Sequence, residues 1–208
     1  MRSPGMERRI AIGHDRASLD RIARPDAALA IWWRKVPEPL RSALATLDLS
    51  AVDNLSVEVD LCESVGPALQ EAGYRGTAYA RLCEDLDMLM RRHAALTGED
   101  RLRVRLAVVE TPIAGRFDAD DAMLAMTCTY IGPGIQWCCA DGLDAIYEVP
   151  TGAVGVFKGR RLLDPPLVLR REPAMAAAEG RRLVLTIDPP GGCDRDGAPR
   201  SRPQADLI

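Results

Sequence analysis

The stretch that decides the fold runs from residue 116 to residue 137 and reads RFDADDAMLAMTCTYIGPGIQW. It begins with an acidic segment, Asp118 to Asp121, and continues as an apolar run that ends at the turn Gly132-Pro133-Gly134. An apolar run bounded by turn residues predicts a buried strand, which we place at residues 122–130. The acidic segment would then lie at the open end of a β-structure, where a functional site is expected.

The apolar period of the sequence changes near Gly98. Residues 77–96 place apolar side chains at helical spacing, and Gly98 stops that helix. Residues 101–110 instead alternate apolar and polar side chains, which is typical of a half-buried strand. The remaining short strands are predicted at residues 145–149, 153–158, 166–171 and 182–188. Successive short strands with turns between them predict an antiparallel sandwich or barrel.

The first hundred residues are interpreted as mainly helical. Further helices are predicted at residues 15–23, 37–47 and 63–72, and short strands at 28–33 and 55–59. The expected fold class is α+β, with a helical N-terminal half packed on a C-terminal antiparallel barrel. The expected divisions are a loose N-terminus over residues 1–14, a helical part over 15–100, a β-barrel part of the same domain over 101–188, and a disordered tail over 189–208.

The composition excludes several classes of protein. The chain has 27 Lys and Arg against 30 Asp and Glu, a net charge of -3, which argues against a nucleic-acid-binding surface. No segment approaches the roughly 20 apolar residues that a membrane helix needs, and no apolar secretory signal is visible. The six cysteines contain no CxxC pair. We therefore expect a cytoplasmic protein with reduced thiols and with neither nucleic-acid nor membrane partners.

Three cysteines give a test of the strand assignment. Cys128 lies inside the apolar run and is expected to be buried. Cys138 and Cys139 follow Trp137 at what reads as a turn, so both are expected to be more accessible than Cys128.

The sequence offers one candidate for a functional site. Its two histidines, His14 and His93, both lie in the first hundred residues, which argues against a catalytic triad or a multi-histidine zinc site. Asp118 and Asp120 would point to the same side of an extended chain. Two carboxylates so placed can bind a hard cation or pair with an arginine. A solvated acidic turn is the alternative interpretation, and the residues alone favour it.

Several segments carry a resemblance to a known family. They are, in order, Arg101-Leu102-Arg103-Val104-Arg105-Leu106, Phe117-Asp118-Ala119-Asp120, Thr129 to Trp137, Pro150 to Gly159, Arg170-Arg171-Glu172-Pro173, and Arg182 to Asp188. Over about residues 15 to 190 the chain resembles a bacterial family known as domain of unknown function 1826. The motif order of that family resembles iron- and 2-oxoglutarate-dependent oxygenases, which implies a double-stranded β-helix, a cupin- or jelly-roll-like fold.

The resemblance also implies a metal site that this chain alters. The family pattern has His-x-Asp and a distal His, a facial triad for iron, and an Arg on the last strand that holds the co-substrate's carboxylate. Here Asp118 and Arg170 replace the two histidines, Asp120 is kept, Glu172 replaces a serine, and Arg182 is the last-strand arginine. Because a guanidinium cannot ligate a metal, we expect Arg170 to pair with Asp118, Asp120 or both.

Three interpretations of the function remain open. The first is a metal-free pseudoenzyme that serves as an interaction domain. The second is an oxygenase that uses iron and 2-oxoglutarate with a rebuilt carboxylate site. Its metal ligands would be Asp118, Asp120 and Glu172.

The third interpretation is a barrel that holds a small carboxylate without turnover. The residues that could hold this ligand are Arg182, Lys158, Arg171 and Tyr130. Loss of both histidines favours the first and third interpretations over the second. We therefore expect no cofactor and no catalysis, with a small carboxylate or a protein as the partner.

Overall fold

A computed structural model of the chain describes residues 9–110, 114–175 and 180–190. The strands within them are β1 Ile10–Gly13, β2 Leu29–Trp32, β3 Leu55–Asp60, β4 Arg101–Val109, β5 Leu124–Ile131, β6 Gln136–Cys139, β7 Gly142–Glu148, β8 Val154–Lys158, β9 Val168–Arg171 and β10 Arg182–Asp188. The helices are a 3-10 helix Arg16–Ala23, then α1 Glu38–Leu44, α2 Gly66–Glu71 and α3 Gly76–Thr97. None of the described helices is long and apolar enough to cross a membrane.

The described strands form two sheets. The larger has seven strands in the order β1-β2-β8-β5-β10-β4-β3, and the smaller has three in the order β7-β6-β9. Strand β1 pairs with β2 in parallel, whereas the other pairs are antiparallel. The larger sheet is therefore mixed, and the expectation of an antiparallel barrel is not confirmed for the sheet as a whole. The 3-10 helix provides the crossover connection that two parallel neighbours require.

The N-terminal half supplies strands as well as helices. Strands β1 and β2 form one edge of the larger sheet, and β3 forms the other. The expectation of a helical N-terminal half is therefore not confirmed. Ile10 and Ala11 of β1 are buried, although the sequence predicted a loose segment through residue 14. Residues 1–8 of that segment, and residues 191–208 of the predicted tail, lie outside the described residues.

Helix α3 packs on one face of the larger sheet, as its apolar stripe predicted. Leu82, Leu86 and Leu89 are fully buried in a core that also contains Leu106 of β4 and Leu185 of β10. The helix ends at Gly98, whose φ is 76° and whose N–H donates to the Ala94 carbonyl at 2.7 Å. A left-handed residue of this kind is a common helix stop, and glycine adopts it without strain.

A second core lies between the two sheets. Ile31 of β2, Phe157 of β8, and Ile135 and Trp137 on the smaller-sheet side belong to it. Alternate residues of a strand face opposite sides, so β10 sends Leu183, Leu185 and Ile187 toward the helices. Its other residues, including Arg182 and Asp188, face the smaller sheet.

The cysteines test the strand assignment with a mixed result. Cys128 is buried as predicted, and burial raises the pKa of its thiol to about 11. Cys138 and Cys139 are also buried, so the prediction that they are more accessible is wrong. The chain does not turn after Trp137. Strand β6 continues through both cysteines and is the central strand of the smaller sheet.

Candidate functional site

The acidic segment lines a cavity of about 270 Å³ beside the middle of β4 and the ends of β9 and β10. The carboxylates in its wall are Asp118, Asp120, Asp121, Glu172 and Asp188. The guanidiniums in its wall are Arg105, Arg116, Arg170 and Arg171. The cavity therefore has a highly charged lining, and the partners of these charges decide what it can bind.

A short backbone bridge joins the acidic segment to β9. The Asp118 N–H donates to the Arg170 carbonyl at 3.0 Å, and the Arg170 N–H donates to the Asp118 carbonyl at 2.8 Å. The two residues are thus antiparallel partners in an isolated bridge, and Arg170 pairs on its other side with Trp137 of β6. This bridge brings together the positions of Asp118, Asp120 and Arg170, which the sequence singled out.

Arg170 pairs with Asp120, as expected. Its Nη2 donates to Asp120 Oδ1 at 2.7 Å, and the two side chains are 16% and 26% exposed. The guanidinium also lies 5.5 Å from the ring centre of Phe157. Burial opposes the charged form, but the charge of Asp120 holds the pKa of Arg170 above its usual value. Arg170 therefore keeps its positive charge.

Asp118 pairs with a different arginine. Its Oδ1 accepts from Arg160 Nη2 at 2.7 Å and from the Ala119 N–H at 2.8 Å. Arg160 was not predicted as a site residue, although this arginine directly follows the Lys158-Gly159 segment of the family pattern. Gly159 makes the contact possible, since a Cβ there would lie 2.1 Å from the Ala122 carbonyl oxygen.

Asp188 and Arg105 form a further ion pair that the sequence analysis missed. Asp188 ends β10 and is buried, and this burial raises the pKa of its carboxyl despite the charges of Arg105 and Arg170. Both residues stood in segments that carried the family resemblance. Their pairing across β10 and β4 follows from the register, which places Asp188 beside Arg103 and Thr186 beside Arg105.

Arg182 is the most deeply buried charge at the site. Its side chain is 0% exposed, its Nε donates to the Pro133 carbonyl at 2.7 Å, and its Nη1 donates to Glu172. Its Nη2 has no partner among the described residues. Gly132 gives the side chain its space, because a Cβ there would lie 2.6 Å from Arg182 Cγ.

Two guanidiniums of the cavity have no carboxylate partner in the described part of the chain. Arg171 donates from Nε to Gln136 Oε1 at 2.8 Å, and its guanidinium lies 4.3 Å from the ring centre of Phe117. Arg116 is exposed and makes no hydrogen bond or ion pair with the described residues. Both arginines can therefore donate to a ligand.

Lys158 and Tyr130 do not line the cavity. Lys158 Nζ donates to the Arg24 carbonyl at 2.6 Å, and burial lowers its pKa. The buried Tyr130 hydroxyl donates to Asp85 Oδ2 at 2.7 Å, on the helix side of the sheet. Of the four residues expected to hold a carboxylate, only Arg171 lines the cavity, and Arg182 lies directly behind Glu172.

The residues at this site do not fit the iron and 2-oxoglutarate that the resemblance implied. Arg170 offers only donors where a histidine ligand would stand, and it is bonded to Asp120, the retained carboxylate. The side chain of Asp118 is bonded to Arg160, and that of Glu172 to Arg182. The contact with Glu172 also occupies the Nη1 donor of Arg182, which the carboxylate of a co-substrate would need. In the described residues, no group of three or more His, Cys, Asp or Glu is placed to hold a metal.

Comparisons with known proteins identify the family and the fold. The model of the family described as "Protein of unknown function (DUF1826)" matches residues 13–188. No curated protein matches the sequence. The dioxygenase for auxin oxidation 1 from Arabidopsis thaliana, solved with 2-oxoglutarate, has a TM-score of 0.50 and 8% identity over 86% of this chain and 91% of that one. A putative oxygenase from Shewanella oneidensis has a TM-score of 0.50 and 10% identity over 86% and 88%.

At these identities the structural likeness shows the fold alone. The two sheets packed face to face correspond to the double-stranded β-helix of these oxygenases. The family model covers nearly all of the described residues and includes every segment on which the resemblance rested. The chain therefore belongs to DUF1826, a family of unknown function that resembles the iron- and 2-oxoglutarate-dependent oxygenases.

Proposed function

We propose that this chain is a metal-independent binding domain whose cavity takes a small carboxylate. The observation that carries the proposal is the ion pair of Arg170 with Asp120, at positions where the family pattern has metal ligands. A guanidinium there supplies the positive charge that Asp120 needs. The proposed domain therefore keeps an oxygenase-like barrel and uses its arginines for binding in place of a metal.

The charges of the cavity favour an anionic ligand. Four of the five carboxylates at the cavity pair with an arginine of the protein, in the pairs Asp118–Arg160, Asp120–Arg170, Asp188–Arg105 and Glu172–Arg182. The fifth, Asp121, lies close enough to Arg160 to help raise its pKa. Among the described residues, Arg116 and Arg171 have no carboxylate partner. A ligand that brings a negative charge would complete the pairing, whereas a cationic ligand would have to break an existing ion pair.

Arg171 is the residue best placed to recognise the ligand. Gln136 and the ring of Phe117 fix the plane of its guanidinium, and its two Nη atoms are left to donate. Paired donors in one plane match the two oxygens of a carboxylate. The cavity of about 270 Å³ is slightly smaller than the roughly 300–1,000 Å³ of most ligand sites, so the ligand is small.

Calorimetric titration of the metal-free protein tests this proposal. Formate, acetate, malonate and 2-oxoglutarate form the carboxylate series, and phosphate and sulfate test whether other anions bind. We expect at least one carboxylate to bind without metal and Arg171→Ala to weaken that binding at least tenfold. Arg81→Ala, which removes an exposed arginine of α3 paired with Glu84, is the matched control and should bind as wild type does.

The same titration decides the alternative, an oxygenase with a carboxylate metal site. It is repeated with Fe²⁺ under anaerobic conditions. Carboxylate binding that appears only with Fe²⁺, and that is lost in Asp120→Ala, would overturn the metal-independent proposal in favour of the oxygenase. Equal binding by wild type and Arg171→Ala would remove Arg171 from the site.

A further inference from the structure

The surroundings of Arg182 form a built site for an anion. Its guanidinium is completely buried, yet one of its nitrogens, Nη2, has no partner among the described residues. Arg182 Nε donates to the Pro133 carbonyl, and Gly132 leaves the space that the arginine side chain fills. A buried charge is costly without a partner, so this arginine requires an anion beside it.

The anion beside Arg182 is the carboxylate of Glu172, a partly exposed residue. Glu172 reaches Arg182 Nη1 from the cavity wall, and its side chain is 35% exposed. It follows Arg171 at the end of β9, so its backbone lies outside the regular strand. The buried guanidinium is thus separated from the cavity by the partly exposed carboxylate of Glu172.

We propose that Glu172 is a tethered carboxylate that occupies an anion site on Arg182, and that a free small monocarboxylate binds there when Glu172 is absent. The tether gives the protein's own carboxylate a large advantage, because it is always present beside the site. A free carboxylate of the same chemistry competes only at high concentration. This inference does not depend on the binding proposed at Arg171.

The test is chemical rescue of thermal stability. Glu172→Ala removes the tethered carboxylate and leaves Arg182 without its carboxylate partner, so its melting temperature should fall. Sodium acetate or formate should restore more than half of the lost melting temperature, whereas sodium chloride at the same ionic strength should not. The rescue should grow with the logarithm of acetate concentration, because the anion binds only the folded protein. Wild type should gain nothing from acetate beyond the effect of chloride.

Two further variants control the result. Glu110→Ala removes a carboxylate from Arg181, the partly exposed residue next to Arg182, and acetate should not rescue it. Glu172→Gln keeps the length of the side chain and a neutral acceptor, so it should lose less stability and respond less to acetate than Glu172→Ala.

The location of the rescuing anion is settled in the double variant Glu172→Ala with Arg171→Ala. Rescue that persists supports a site at Arg182, and rescue that disappears would assign the acetate to Arg171 and overturn the inference. Equal effects of acetate and chloride on Glu172→Ala would overturn it as well. If this variant does not fold in chloride, recovery of folded protein in acetate supports the inference, and failure in both salts counts against it.

Discussion

At the scale of single residues, the ion pair of Arg170 with Asp120 gives a stability prediction. Removing one partner of a fully buried pair costs about 3–5 kcal/mol, and removing a fully exposed one costs little. Because these side chains are 16% and 26% exposed, Arg170→Ala should lower the free energy of unfolding by about 1–2 kcal/mol. Urea denaturation measures this. The control, Arg160→Ala, breaks the more exposed pair with Asp118 and should cost less; an equal or larger cost would contradict the prediction.

The same positions predict a gain of metal binding. Arg170→His together with Asp118→His recreates the ligand types of the family pattern around Asp120. We expect the double variant to bind Fe²⁺ or Mn²⁺ more tightly than wild type, because imidazole nitrogen and carboxylate oxygen are ligands that these ions accept. Anaerobic calorimetry measures the affinity, with each single variant as a control. Affinities that match in all four proteins would show that these three positions do not converge as ligands.

His93 predicts a dependence of stability on pH. Its ring is fully buried on α3, with Nε2 3.2 Å from the Leu124 carbonyl, and burial lowers its pKa to about 4. As the pH falls, the imidazole of His93 is therefore protonated near pH 6.5 in the unfolded chain but only near pH 4 in the folded chain. The contribution of His93 to the free energy of unfolding is fully present above pH 6.5. It is lost as the pH falls toward 4, by about 3 kcal/mol in total.

The variant His93→Gln isolates this contribution. Urea denaturation of wild type and variant between pH 4 and pH 7 should show a difference in unfolding free energy that shrinks as the pH falls. The variant keeps an N–H donor for Leu124 but has no group that titrates. A difference independent of pH would show that His93 is not the source of the effect.

At the scale of elements, helix α3 is held to the larger sheet by a buried ion pair as well as by leucines. Both Nη atoms of Arg34 donate to the Asp85 carboxylate, at 2.6 and 2.7 Å, and Tyr130 of β5 donates to the same group. The Arg34 and Asp85 side chains are 8% and 5% exposed. Asp85→Ala should therefore lower the free energy of unfolding by about 3–5 kcal/mol, since it leaves a buried guanidinium without its partner.

Two comparisons make that measurement specific. Glu84→Ala removes the neighbouring carboxylate of α3, which pairs with Arg81 in solvent, and should cost far less. Asp85→Leu combined with Arg34→Met should cost less than Asp85→Ala, because no charge is then left unpaired. A double variant as unstable as Asp85→Ala would show that the loss comes from packing and not from the charge.

Long elements are predicted more reliably than short ones, although the four-residue strands β2 and β9 were also predicted to within two residues. Helix α3 and strands β4, β5 and β10 each span enough residues to show an apolar period, and their positions were predicted to within a few residues. Strands β1 and β6 have only four residues each, too few to establish a period. The Gly-Pro-Gly turn before β6 also favoured a loop there.

At the scale of the whole molecule, the site depends on contacts between residues far apart in the chain. The family pattern predicted that Asp118, Asp120 and Arg170 lie together, because it places them at corresponding ligand positions. It did not predict the partners Arg160 and Arg105, because pairing between separate strands leaves no local signal in the sequence. The ion pair between Glu172 and Arg182 likewise forms only when the two sheets are in their native positions.

The same long-range contacts predict slow folding. Helix α3 is made of local contacts, whereas Trp137 is buried only when the two sheets come together. In stopped-flow refolding, helical circular dichroism should therefore recover before tryptophan fluorescence, which should follow on a scale of roughly milliseconds to seconds. Trp33 is exposed and Trp32 only partly buried, so Trp33→Phe should leave the fluorescence phase in place. Recovery of both signals at one rate would contradict the prediction.

The position of β2 in the larger sheet has a consequence for synthesis on the ribosome. Leu29 pairs with Phe157, so more than a hundred residues must be translated before β2 meets β8. Until then its apolar residues and one row of backbone hydrogen-bonding groups have no native partner on that side, which makes the nascent chain prone to association. The parallel neighbour β1, which emerges first, covers the opposite edge of β2 throughout this interval.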